Sequence, residues 1–148
     1  MLPKWHFLLG ILFTTLVCIV FSETNLIYLF LIFFGAFFID FDHYMVAVWK
    51  TGKLGLFKAF EYHKKRDLEA RRLKNKKIRR KGDFHIFHTF EFHLLVFLLG
   101  YLWVGFFYLV VGMIFHSLLD IVDLTVRDYL YRREFFLINW LRKKIRES

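Results

Sequence analysis

Two apolar runs open the chain, and only four residues separate them. The first run covers residues 7–21, the second covers residues 26–39, and Ser22-Glu23-Thr24-Asn25 lies between them. Each run is shorter than the roughly 20 residues that cross the hydrocarbon core of a bilayer, but polar flanks can extend both helices. The pattern predicts a helical hairpin over residues 5–41. Lys4 before the first run also fits a signal peptide. We favour retention as a membrane helix.

A third apolar region, residues 84–124, fits two interpretations. Leu94 to Phe115 is an unbroken apolar run that could form one spanning helix, whereas Gly100 and Gly105 could mark a turn between two helices. A single span would place the basic tail, residues 125–148, across the membrane from the other basic segments, against the positive-inside tendency. A hairpin keeps every Lys and Arg on one side. We therefore expect four transmembrane helices in two hairpins, with both termini cytoplasmic.

Composition supports a membrane protein. Hydrophobic residues make up 57% of the 148 residues, aromatic residues make up 22%, and there is one proline. The net charge of +9 comes from basic residues that avoid the apolar runs. We expect an all-α polytopic protein with one membrane domain over residues 1–148. Cys18 is the only cysteine, which excludes an intrachain disulfide and disfavours a cysteine-based zinc site.

A basic insertion is predicted over residues 44–83, between the two hairpins. Its residues 50–82 include fourteen Lys or Arg against three acidic residues. The segment Val46–Phe60 mixes large apolar residues with lysines, as is typical of an interfacial helix. Residues 71–81 contain no aromatic side chain that could stack on a base. The insertion is therefore expected to bind anionic membrane lipid rather than nucleic acid.

Ionisable residues cluster at the predicted cytoplasmic ends of the apolar helices. Such groups are costly at membrane depth unless they are paired or bind a ligand. His116, Asp120 and Asp123 are spaced i, i+4 and i+7, so they share one helix face. A divalent metal would offset the cost, and mixed nitrogen and oxygen donors suit Zn, with Mn or Fe as alternatives. The candidate metal ligands are Asp40, Asp42, His43, His85, His88, His116 and Asp120.

The segment from His85 to His93 leaves the ligand assignment open. A helix that starts early places His85, His88 and Glu91 on one face, whereas a later start lets His88 approach His93. Glu91 is the candidate general base, because a carboxylate beside a metal can accept a proton from water. Asp123 fits either a ligand or a group that orients one. Packing or interfacial roles are expected for three other residues: His6, His63 and Asp83.

The motifs resemble those of the small inner-membrane metal-dependent hydrolases, the LexA-regulated, YdjM-like group. That family carries Asp-x-Asp-His after a helix, a His-rich motif that opens the next helix, and His-x-x-x-Asp on a later one. Residues 40–43, 85–93 and 116–120 are similar to these motifs. The family's middle motif usually reads His-Arg-Gly-x-Thr-His-Ser, whereas residues 88–94 keep only its histidine spacing. The resemblance implies a metal-dependent hydrolase of the cell (inner) membrane without naming its substrate.

Two functions are therefore expected from the sequence. The first is a membrane-embedded hydrolase with a His/Asp metal site at the cytoplasmic interface. It would act on a phosphoester of a lipid or another anionic amphiphile that Lys and Arg recruit. The alternative is a non-enzymatic membrane scaffold in which the same residues form a structural metal site or a hydrogen-bonded clamp. In the scaffold, the basic insertion binds lipid or a partner.

Overall fold

Helices form all the regular structure in the part of the chain that the structure describes. The structure is a computed structural model, and it describes residues 3–147. The elements are α1 Pro3–Val20, α2 Leu26–Phe38, α3 Phe41–Thr51, α4 Leu56–Asn75, a 3₁₀ helix Ile86–His88, α5 Phe90–Leu99, α6 Gly105–Val126, a second 3₁₀ helix Leu130–Arg132 and α7 Leu137–Glu147. The all-α prediction is confirmed.

Two helical stretches are long and apolar enough to cross a membrane, judged by length and composition. They are Leu26–Thr51, which joins α2 and α3, and α6. The expectation of four transmembrane helices is therefore wrong for residues 3–147. Within α1, the apolar stretch Lys4–Val20 is shorter than the 18 residues required of a candidate span. α5 has only 10 residues, which is about 15 Å of helix.

The third apolar region folds as two helices rather than one span. α5 ends at Leu99, α6 begins at Gly105, and the turn between them contains Gly100. A Cβ atom at Gly100 would collide with the ring of Phe107, and one at Gly105 would collide with the ring of Trp103. The two glycines therefore allow the aromatic rings to fold over the turn. This hairpin brings the beginning of α5 back towards the middle of α6.

Two helices start or stop where the sequence pattern did not predict it. α5 begins at Phe90 rather than near residue 84, because the Thr89 side chain caps it by accepting a hydrogen bond from the Phe92 amide at 3.3 Å. The predicted interfacial helix over Val46–Phe60 is also divided. Gly52 has a φ of 68° and ends α3 in the left-handed conformation, which glycine adopts without steric cost.

Close packing of α2 on α6 forms the centre of the protein. A Cβ atom added to Gly112 would collide with the backbone carbonyl of Ile32, and one added to Gly35 would collide with that of Leu109. Small residues let helix backbones approach in this way, as they do at the interfaces of membrane helices. The contact brings Asp40, at the end of α2, beside His116 on α6.

The basic insertion packs against the segment that follows α6. Lys81 Nζ donates to the Arg133 carbonyl at 3.0 Å, and the Gly82 amide donates to the Arg132 carbonyl at 2.9 Å. The next residue, Asp83, accepts hydrogen bonds from Arg66 on α4 at 3.2 Å. Burial raises the pKa of Asp83, but the bonds from Arg66 outweigh burial and hold it below its usual value. The two basic segments therefore lie side by side, and the insertion helps to position Arg133.

Candidate metal centre

All seven candidate metal ligands lie in one connected cluster of side chains. Asp40 occupies the break between α2 and α3, and Asp42 and His43 are in the first turn of α3. His85 precedes the first 3₁₀ helix, His88 is the last residue of that helix, and α6 contributes the remaining two ligands. Four overlapping groups of three residues have ligand atoms within 4.8 Å of one another. The cluster lies near the middle of both long helical stretches rather than at their ends.

The first subsite consists of four ligand atoms from three segments of the chain. They are Asp40 Oδ1, His88 Nε2, His116 Nε2 and Asp120 Oδ2. His88 Nε2 lies 3.2 Å from His116 Nε2 and 3.6 Å from Asp40 Oδ1. His116 Nε2 lies 3.4 Å from Asp40 Oδ1, and Asp120 Oδ2 lies 3.7 and 3.8 Å from the two imidazole nitrogens. Zinc bonds of about 2.0–2.2 Å in a tetrahedron separate the ligand atoms by about 3.3–3.6 Å. The five distances, 3.2–3.8 Å, centre on this range and extend 0.1–0.2 Å beyond it at either end.

The outward-facing nitrogens fix how the two imidazoles are oriented. His88 Nδ1 lies 3.0 Å from Asp42 Oδ2, and His116 Nδ1 lies 2.9 Å from the Ala36 carbonyl oxygen. A carboxylate and a carbonyl only accept hydrogen bonds, so both Nδ1 atoms carry a proton and donate it. A neutral imidazole with this hydrogen bond directs the lone pair of Nε2 into the cluster, as ligating histidines do.

A proton can take the place of a cation in this subsite. Burial lowers the pKa of His88, but hydrogen bonds to Asp40 and Asp42 outweigh burial and raise the pKa above its ordinary value. The cause is that both ring nitrogens of His88 face carboxylate oxygens. A divalent ion and an Nε2 proton compete for the same position, as expected where metal binding releases protons.

The second subsite contains two buried polar atoms that lack a partner. Asp42 Oδ1 and His85 Nδ1 have no hydrogen bond within the described residues, although they lie 3.5 Å apart. The ring of His43 packs 3.8 Å from the ring of His85, centroid to centroid. Burial lowers the pKa of His85, which favours the neutral form that binds metals. Unsatisfied buried atoms of this kind are rare in folded proteins, and here they fit the donor set of a metal site.

Asp40 connects the two subsites. Its Oδ1 lies 3.3 Å from His43 Nε2 in the second subsite as well as near both histidines of the first. A carboxylate placed between two sets of ligands can bridge two ions, which lie about 3.5–4 Å apart in two-metal enzymes. The arrangement can therefore hold one ion, or two that share Asp40.

His6 also belongs to the cluster, contrary to the packing role expected from the sequence. Its side chain is 1% exposed and its ring stacks on the His116 ring at 4.0 Å. His6 Nδ1 lies 2.9 Å from His116 Nδ1, and His6 Nε2 lies 3.3 Å from Asp120 Oδ1. Its position at the start of an apolar helix, at the predicted cytoplasmic end, is the one sequence signal that could have identified it.

Arg133 is a second member that the sequence did not reveal. Its guanidinium donates to Asp120 Oδ2 at 2.6 Å, and its side chain is only 11% exposed. One carboxylate oxygen thus faces both the first subsite and a permanent positive charge. Arg133 lies among many other basic residues, so the sequence offers no signal that distinguishes it.

Three candidates from the sequence are engaged outside the cluster. The Glu91 carboxylate accepts hydrogen bonds from the amides of Leu137 and Ile138 at 2.9 and 3.2 Å, so it caps α7. His93 Nε2 lies 3.1 Å from Ser117 Oγ. Asp123 pairs with Arg127, one turn further along the chain. Among the described residues, none of these three candidates belongs to the converging groups.

The two other ionisable residues that were assigned interfacial roles lie beside the cluster. His63 Nε2 lies 2.9 Å from the carbonyl oxygen of His43. Asp83 pairs with Arg66 and accepts a hydrogen bond from Tyr62. Both residues help to hold α4 in place rather than contribute ligand atoms.

Comparison of the chain with protein-family models, with curated proteins and with solved structures finds no match. The resemblance to the inner-membrane hydrolases therefore stays a prediction, carried by the motifs at residues 40–43, 85–93 and 116–120. What the structure adds is a buried His/Asp cluster able to hold a metal ion.

Proposed function

We propose that this protein is a membrane-embedded, metal-dependent hydrolase that acts on phosphoesters. Its motifs resemble those of the inner-membrane metal-dependent hydrolases. The observation that carries the proposal is the first subsite, where four ligand atoms from α2–α3, the first 3₁₀ helix and α6 lie 3.2–3.8 Å apart across the five measured pairs. Zn is the metal that these donors and distances favour, with Mn or Fe as alternatives.

Exposed apolar side chains support the membrane setting. Leu12 and Leu16 on α1, Leu26 on α2 and Leu102 in the turn before α6 are each more than half exposed, as are several other large apolar side chains. A protein in water rarely exposes so continuous an apolar surface. The basic insertion and the tail lie side by side, so we place both on the cytoplasmic face in accordance with the positive-inside tendency.

The residues around the cluster have distinct roles in the proposed reaction. A divalent ion held by Asp40, His88, His116 and Asp120 would supply Lewis acidity towards a phosphoryl oxygen and would make water more acidic. The Asp42 carboxylate accepts the hydrogen bond from His88 Nδ1 and thereby orients the His88 ring. Arg133 provides a guanidinium that can bind a phosphate oxygen next to the ligands.

Metal content tests the proposal directly. The protein is purified in detergent, washed with a chelator, dialysed against zinc and analysed for bound metal. We expect one or two ions per chain in the wild type and a loss of at least one ion in Asp120→Ala. Asp123→Ala is the matched control, because Asp123 lies on the same helix but pairs with Arg127. A wild type without stoichiometric metal, or an Asp120→Ala variant with unchanged metal content and stability, would overturn the proposal.

An assay of phosphate release distinguishes the proposed hydrolase from the alternative of a non-enzymatic scaffold. The wild type is expected to hydrolyse p-nitrophenyl phosphate or phosphatidic acid in vesicles, and Asp120→Ala is expected to lose this activity while Asp123→Ala keeps it. Retention of metal without release of phosphate from either substrate favours a structural metal site. Deletion of residues 61–82 then tests whether the basic insertion is the functional part of such a scaffold.

A further inference from the structure

An apolar groove begins at the metal cluster and follows the contact between α5 and α6. It has a volume of about 460 Å³, within the range of roughly 300–1,000 Å³ that is typical of small-molecule sites. Its walls include Leu94 and Phe97 on α5, Val110 and Ile114 on α6, and Phe136 from the segment before α7. We call it the chain groove.

Polar residues lie at one end of the chain groove only. Val110, Ile114 and Ser117 follow one another on one face of α6, and Ser117 is next to the candidate ligand His116. The lining also includes His88, which is itself a candidate ligand. From Ser117 to Val110 the groove extends roughly 10 Å along the helix, about a third of the thickness of a bilayer core. The groove therefore connects the cluster to an apolar interior.

Two basic residues, Arg133 and Lys81, lie near the polar end. Arg133 contacts Asp120 in the cluster, and the same segment of chain continues into Phe135 and Phe136 of the groove wall. Lys81 lies against the backbone of Arg133. A ligand that fills the groove would thus have its apolar part between the helices and its head beside a guanidinium and the candidate metal ligands.

We propose that the chain groove binds the alkyl chain of a single-chain, phosphate-headed amphiphile, whose head lies at the metal cluster. The inference rests on the proposed function, because it identifies the substrate class of the same site. Leu94, Phe97 and Ile114 are all more than a third exposed, so such a molecule can enter sideways from the surrounding lipid.

A second apolar groove provides an internal comparison. It has a volume of about 510 Å³ and is lined by residues of α1, α2 and α6, among them Phe13, Leu16 and Val111. Apart from Tyr108, no ionisable side chain appears among its lining residues in the described part of the chain. A chain without a specific head interaction should enter both grooves equally, whereas a phosphate-headed amphiphile should prefer the chain groove.

Photoaffinity labelling tests the preference. Zinc-loaded protein in phosphatidylcholine nanodiscs is labelled with hexadecyl phosphate that carries a diazirine near the end of its chain, and labelled residues are mapped by mass spectrometry. A second probe carries the diazirine near the middle of the chain, because the groove extends only roughly 10 Å along α6. With this second probe we expect label on α5 and α6 around the chain groove, and competition by unlabelled hexadecyl phosphate but not by hexadecanol. Ile114→Trp fills the groove and should remove this label. The matched Val111→Trp fills the second groove and should leave it.

The outcomes distinguish this inference from the proposed function. Equal labelling of the two grooves, absence of label from the chain groove, or equal competition by hexadecanol would overturn the assignment of the groove. The competition experiment uses the wild type, so it decides the matter even where Ile114→Trp does not fold. Bound metal is measured on the same samples. Wild-type protein without metal overturns the proposed function, whereas metal with no preference between the grooves overturns only the inference.

Discussion

Replacing Gly112 with alanine should disrupt the metal cluster from a distance. Gly112 faces α2, where an added Cβ atom would collide with the carbonyl oxygen of Ile32 and lie 2.8 Å from the Ala36 amide nitrogen. Both neighbours are backbone atoms, so no side-chain rotation can relieve the collision. α2 must move away from α6 by about 1 Å to restore van der Waals contact.

The size of the effect follows from this displacement. Overpacking of a core costs about 1–3 kcal/mol, whereas alanine's helix propensity contributes a gain of about 1 kcal/mol, so the net destabilisation is up to about 2 kcal/mol. α2 leads to Asp40, and its Ala36 carbonyl accepts the proton of His116 Nδ1. Metal–ligand distances tolerate deviations of only about 0.2 Å. We therefore expect Gly112→Ala to lower zinc affinity by about tenfold or more, comparable to the loss of an outer hydrogen bond.

Gly10→Ala is the matched control for this variant. A Cβ atom at Gly10 would meet Ala36 Cβ at 3.4 Å, an ordinary contact between α1 and α2. The change should leave zinc affinity unaltered and raise the free energy of unfolding by up to about 1 kcal/mol. Chelator competition gives the affinity, and thermal unfolding in detergent gives the stability. Equal affinity and stability in the two variants would refute the proposed coupling between helix packing and the metal site.

Three further predictions concern the surroundings of the cluster. His6→Ala should lower zinc affinity by about 10- to 100-fold, since His6 stacks on one ligand and faces another; an unchanged chelator titration would exclude this role. Asp83→Asn should cost about 1 kcal/mol at neutral pH. Arg66 holds the pKa of Asp83 below its usual value. The difference in unfolding free energy between wild type and Asp83→Asn should therefore shrink as pH falls through the lowered pKa, which unfolding at neutral and at acidic pH would measure. Glu91→Gln should keep the metal, but trypsin should cleave α7 more readily because the cap is weakened. Loss of hydrolysis while α7 stays protected would instead show that Glu91 acts as the general base.

The parts of the site that sequence could predict depend on local spacing. His116 and Asp120 are four residues apart on one helix, so their common face follows from helix geometry alone. The turn between α5 and α6 is marked by two glycines, and the fold class follows from the apolar runs. These features require no knowledge of which distant segments meet.

The parts that sequence could not predict depend on contacts between distant segments. His6 meets His116 across 110 residues, and Arg133 reaches Asp120 from a segment whose backbone the insertion contacts. Glu91 has the spacing of a ligand, yet its side chain turns to the amides of α7. The predicted length of α5 was too great because the Thr89 cap delays the start of the helix, and a hydrophobicity pattern does not reveal such a cap.

Irregular backbone is concentrated at the level of the cluster. α2 and α3 are separated at Asp40, in the middle of an otherwise apolar stretch, and a 3₁₀ helix followed by the Thr89 cap delays the start of α5. In the proposed membrane setting, broken helices are tolerated only where protein or a polar cavity surrounds them. Each break places a candidate ligand, Asp40 or His88, opposite the middle of α6. The same breaks that shorten the helices thus assemble the cluster, and this explains why the site lies deep between the long helices rather than at their ends.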